Sequence, residues 1–76
     1  MIELLQQLIQ ALVSHPDDVR LTEINGERSL IVELRCHPSD LGKVIGKNGK
    51  TISAVRTVMN AIAARQGRRA MIEVVE

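Results

Sequence analysis

The stretch from Asp40 to Met59 leaves this chain few ways to fold. Leu41, Val44 and Ile45 recur at helical spacing, and so do Ile52, Val55, Val58 and Met59, so two apolar-faced helices flank the four residues Gly46-Lys47-Asn48-Gly49. The centre therefore reads as a helix, a tight turn and a second helix. Glycine at each end of the turn permits positive φ and leaves no Cβ to block another backbone, Asn48 tolerates the left-handed region, and Lys47 supplies charge. The second helix, starting near Lys50 or Thr51, points its free N–H groups and positive dipole end back at the turn, a setting that suits phosphate.

The charge distribution points the same way. Net charge is only +1, but Met1 to Asp40 holds three Arg against seven acids, whereas Leu41 to Ile72 holds seven Lys and Arg and no acid. Solvated helix faces usually mix signs to form i,i+4 pairs, so an acid-free stretch favours an anionic partner over a plain wet surface. The chain has no Phe, Tyr or Trp, which removes the stacking platforms on which many single-strand binders rely.

At 76 residues the chain reads as one domain, 1–76, whose modest core is helped by association. Its 45% apolar and 25% charged residues are ordinary for a folded protein. The N-terminal segment lacks a basic leader and carries Glu3 and several Gln, and no run approaches the roughly 18 apolar residues of a membrane span. No membrane association and a cytoplasmic location are the expectation. Cys36 is single, and His15 and His37 lack further ligands at metal spacing, so neither a disulfide, a metal nor another cofactor is expected.

Ile2, Leu5, Leu8, Ile9, Leu12 and Val13 fall on one helical face, and Pro16 ends that helix. Val19 to Ile24 and Glu27 to Cys36 then alternate as strands around Asn25-Gly26, a strong hairpin signal. A two-residue turn there pairs Leu21 with Leu30 and Val19 with Val32, and puts Leu34 and Cys36 on the same core-facing side. Pro38 and Ser39 open the first central helix, where Gly42, at a cost of about 1 kcal/mol relative to Ala, suggests a close packing contact. Ile52, Val55, Met59, Ile62 and Ala63 give the second central helix its buried stripe to about Arg65, and Ala70 to Val75 is a last strand with Ile72 and Val74 facing the core. The order helix-strand-strand-helix-helix-strand predicts an α+β fold, a three-stranded mixed sheet with the helices on one face and the last strand parallel to the second.

Val44-Ile45-Gly46-Lys47-Asn48-Gly49 followed by Ile52 resembles the Val-Ile-Gly-x-x-Gly-x-x-Ile signature of the K-homology (KH) RNA-binding domain. The element order resembles its type II, bacterial-style form across the whole chain, and the short length with His37 to Thr51 is similar to small bacterial proteins made of one KH domain. Members often carry Gln and Arg where this chain has Asn48 and Lys50, departures that keep polarity and charge. The resemblance implies that about four nucleotides of single-stranded RNA lie in a narrow groove with their backbone clamped at the turn. Gly46 and Gly49 then permit close approach, Lys47 and Asn48 contact phosphate and sugar, and Lys43, Lys50 and Arg56 are rim contacts. Leu41, Val44, Ile45 and Ile52 form the aliphatic floor under the bases, the alternative for each being ordinary core. Arg65, Arg68 and Arg69 can extend the surface. A post-transcriptional regulator or RNA chaperone is the function so implied.

An enzyme is not expected. Gly46 to Thr51 ends in the Gly-Lys-Thr of a phosphate-binding loop, but that motif requires glycine where this chain has Val44, and it follows a strand rather than a helix. Cys36 beside His37 has no orienting third residue. The competing reading is a protein-interaction module: Ala54, Val58 and Ala61 form a stripe roughly 120° from the core face of their helix. That stripe suits a homodimer, or a heterodimer with a larger KH-containing protein, partners the resemblance also implies.

Overall fold

A computed structural model of the chain describes residues 2–76. Its sheet is ordered β1-β2-β3, with β1 at Arg20–Asn25 and β3 at Arg69–Val74 flanking the central strand β2 at Ser29–Arg35. β1 runs antiparallel to β2, whereas β3 returns parallel to it after two helices, α2 (Leu41–Ile45) and α3 (Lys50–Arg65). The first helix, α1, is Ile2–Leu12, and short 3₁₀ turns occupy Pro16–Asp18, Pro38–Asp40 and Lys47–Gly49. The architecture is the α+β one expected, with three helices and a mixed three-stranded sheet.

Alternation in the strands decides where the core lies. Leu30, Val32 and Leu34 of β2 and Ala70 and Ile72 of β3 are buried on one sheet face, against Leu5 and Ile9 of α1, Val44 of α2, and Ile52, Val55, Met59 and Ala63 of α3. Ile24 and Met71 stand exposed on the other. Ile52, Val55, Met59 and Ala63, at i, i+3, i+7 and i+11, supply the buried stripe of α3, which is how a 3.6-residue period meets a flat sheet. Leu12, expected on the buried face of α1, is instead exposed.

The hairpin register differs from the expectation. Leu21 pairs with Leu34 and Asn25 with Leu30, so the loop spans residues 26–28 and is closed by the Gly26 N–H donating to the Ser29 carbonyl at 2.8 Å. Val19 is buried but precedes the strand and pairs with nothing in it. A two-residue type I′ turn needs positive φ at both central residues, and among the described residues positive φ is confined to Gly46, Asn48, Gly49 and Gly67. The slip is even, so every side chain keeps its face. Arg68 fastens the wider loop: its Nη2 donates to Asn25 Oδ1 at 2.8 Å and to the Ser29 carbonyl at 3.1 Å. The close contact expected at Gly42 is absent, since a Cβ built there meets nothing within 4 Å.

Candidate nucleic-acid interface

α2 ends where the Gly46 N–H donates to the Gly42 carbonyl at 2.8 Å, and the chain reverses through Gly46 (φ 79°, ψ 168°), Asn48 (φ 57°, ψ 27°) and Gly49 (φ 73°, ψ 13°). The Gly46 conformation is open essentially to glycine alone. Its missing side chain serves the protein first: a Cβ there would lie 2.2 Å from Thr51 Oγ1 and 2.8 Å from the Thr51 nitrogen. At Gly49 the same construction meets nothing within 4 Å, so that is the open approach. Lys47, Asn48 and Lys50 project into solvent around it, and no side chain caps the N-terminus of α3. Exposed cations and an uncapped helix start favour an anion.

The expected aliphatic floor divides in two. Val44 has no exposed surface and Ile52 only 5%, so both belong to the core and offer nothing to a base directly; their helices turn them onto β2 and β3. Leu41 and Ile45, half-buried, remain at the surface beside the turn.

Two expected rim cations prove to be engaged. Lys43 Nζ donates to Ser14 Oγ and lies 3.6 Å from Asp40 Oδ1. Arg56 Nε and Nη2 both donate to the Ile72 carbonyl on β3, at 3.1 and 2.9 Å. Of the three rim candidates only Lys50 stands exposed with no hydrogen bond or ion pair among the described residues.

Asp40, just ahead of α2, is 0% exposed. Its carboxylate accepts the backbone N–H groups of Ser14 at 3.1 Å and His15 at 2.9 Å, and meets His15 Nδ1 at 3.1 Å. Burial by itself would raise the carboxyl, but these backbone donors and the His15 ring outweigh it and hold it near a pKa of about 2. Asp40 thus ties the segment after α1 to the start of α2, and so positions the helix that leads into the turn. An acid ahead of an apolar helix was the available signal; its distant donors had none.

His15 and His37 stack with centroids 4.0 Å apart, and His37 Nδ1 accepts the Ser39 N–H. Half-buried Cys36 has its thiol pushed up by burial and then by the Asp40 charge, which disfavours the thiolate a nucleophile needs. On the far side of α3, Ala54, Val58 and Ala61 are exposed, Val58 at 47%. No described helix is long and apolar enough to cross a membrane.

The family model for the KhpA/KhpB KH domain matches residues 2–74. Among curated relatives, the RNA-binding protein KhpA of Halalkalibacterium halodurans is 47% identical, over 96% of this chain and 96% of its own. That of Clostridium acetobutylicum is 43% identical over 96% and 97%, and that of Streptomyces coelicolor 46% identical over 95% and 91%. No solved structure matches significantly.

Proposed function

The chain belongs to the KhpA/KhpB KH-domain family, a non-enzymatic one, and from that premise we propose that it binds single-stranded RNA at the Gly46–Gly49 turn. The observation that carries the reading is the turn itself: three of its four residues at positive φ, its side chains in solvent, at the uncapped head of α3 within an acid-free stretch. The backbone of about four nucleotides passes over Gly49, where the approach is open, with Lys47, Asn48 and Lys50 on phosphate and sugar. Leu41 and Ile45 offer apolar surface to the bases, and Val44 and Ile52 support them from beneath. Duplexes are excluded because paired bases cannot enter the groove. A single domain spanning 1–76, acting in the cytoplasm as a post-transcriptional regulator or RNA chaperone, is the cellular form of this reading.

The test replaces Lys47 and Asn48 together by Asp. Two negative charges then stand where phosphate must approach, in a turn whose side chains bury nothing, so RNA affinity is lost while the circular dichroism spectrum stays native. Undiminished binding at low salt by the folded variant contradicts the reading.

A second property rests on the exposure of Ala54, Val58 and Ala61 along one stripe of α3. It suits self-association about a two-fold axis, or pairing with a larger KH-containing protein. Val58→Glu gives a folded monomer if the stripe is a symmetric interface, because two like charges would face one another there. A wild-type protein that sediments as a monomer at high concentration leaves only the heteromeric pairing.

A further inference from the structure

The sheet face turned away from the helices carries its side chains in ordered rows. Register sets Ile24 of β1 beside Ile31 of β2, and Ile31 beside Met71 of β3, so one apolar row crosses all three strands. Ile24 is 50% exposed and Met71 43%, with Ile31 half-buried between them. Ser29 and Arg69 flank this row on one side, and Thr22, Glu33 and Glu73 flank it on the other. Each flanking row lies two residues along the strands, about 7 Å away.

The charges on this face are poorly matched within one chain. Glu33 and Glu73 are register partners, and like charges side by side in a sheet are destabilising. Arg35 lies 3.9 Å from Glu33, but among the described residues neither Glu73 nor Arg69 has an ion-pair partner. Those two stand four residues apart on β3, about 13 Å, too far to meet each other. The face therefore calls for a cation over the acids, an apolar surface over the central row and an anion over Arg69. Nucleic acid does not answer that description, since the acids repel it. A second copy of the same face, turned over, does.

Two such sheets can stack nearly aligned about a two-fold axis that runs either along the strands or across them. An axis along β2 sets Glu33 on its own copy and Arg35 on its own copy, which like charge disfavours. An axis across the strands, over Ile31, sets Ile24, Ile31 and Met71 each on its own copy and reverses the flanking rows. Arg69 of each copy then faces Glu73 of the other, and Ser29 faces Glu33.

We propose that this sheet face is a self-association surface, two copies pairing face to face about the axis across the strands with reciprocal Arg69–Glu73 contacts. The contact is separate from RNA binding and from the Ala54, Val58 and Ala61 stripe, because α3 packs on the opposite face of the sheet. Three strands of about six residues give a face of about 14 Å by 20 Å. That falls well short of the ~800 Å² per partner of a standard interface, so the pair is weak, with a dissociation constant of about 10 μM to 1 mM.

A chain that pairs through both surfaces grows beyond a dimer, so the experiment isolates the sheet in a Val58→Glu background, without RNA. Arg69→Glu, Glu73→Arg and the two together are added to it, the fold of each is checked by circular dichroism, and self-association is followed by sedimentation up to about 1 mM. Each single change is expected to weaken the pair at least ~10-fold, because it sets like charges across the axis twice, and the double change is expected to restore it. The same set in the chain with Val58 intact, read as amide shifts of Ile24, Ile31 and Met71 on dilution, covers the case in which Val58→Glu does not fold. A monomer throughout the concentration range with those amides unmoved by dilution overturns the inference. So does a pair indifferent to Arg69→Glu, or single losses that the double change fails to repair.

Discussion

Two turns in this chain ask for positive φ by their sequences, Asn25-Gly26 and Gly46-Lys47-Asn48-Gly49, and only the second takes it. The second is decided by neighbours: α2 closes on it through the Gly42 carbonyl, the Gly49 N–H returns to the Gly46 carbonyl at 3.0 Å, and Thr51 fills the space a Gly46 side chain would need. The first is decided from a distance. Arg68, 43 residues on from Asn25, spends one nitrogen on the hairpin loop, and the Arg69 N–H donates to the Arg28 carbonyl at 2.8 Å. A strong local signal yields where distant donors stabilise the wider loop. It survives where its partners are its own neighbours.

That contrast orders the expected mutational effects. Gly46→Ala should be the most damaging, about 2 to 4 kcal/mol in urea unfolding, because backbone strain and collision with Thr51 act together. Gly49→Ala, with only its left-handed φ against it, should cost about 1 kcal/mol. Near-equal losses for the two would mean that Thr51 moves aside freely. Arg68→Ala should cost about 1 to 2 kcal/mol and show its amide-exchange changes in the β1–β2 loop, since charged donors to two acceptors are removed. A change confined to the end of β3 would contradict the anchoring role.

Gly26→Ala should cost within about 0.5 kcal/mol, the smallest of the set. The new Cβ would lie 2.8 Å from Ser29 Oγ, the rotatable end of a side chain, and no positive φ is required there. A loss as large as that of Gly46→Ala would restore the two-residue turn.

Element order, the parallel return of β3 and the core stripe of α3 were legible because the hydrophobic periods of helix and strand do not overlap. The hairpin register was not, since an even slip leaves every apolar residue on its face and periodicity is blind to it. Within the site, the turn residues were legible for the same local reason that they adopt positive φ. The engagement of Lys43 and Arg56 was not, because their acceptors are the Ser14 hydroxyl and the Ile72 carbonyl, groups that carry no sequence pattern. Val44 and Ile52 looked alike for floor and core, and only the placement of both helices on the sheet separates the two roles.

Asp40 adds a prediction about the acid limb of the stability curve. Its folded pKa of about 2 lies below the usual 3.8, so the stability it contributes is complete above about pH 4 and is lost as pH falls through 2. Asp40→Asn should flatten that part of the pH–stability curve; an unchanged acid limb would show that other carboxylates set it.

The account turns on where nucleic acid touches the chain. Amide chemical shifts followed while a short single-stranded RNA is titrated into the labelled protein test that directly. Residues Gly46 to Thr51 and the flank of α3 down to Arg56 should move most, with the open sheet face around Ile24 and Met71 unmoved. Shifts centred on that sheet face or on α1, with the turn silent, would contradict it.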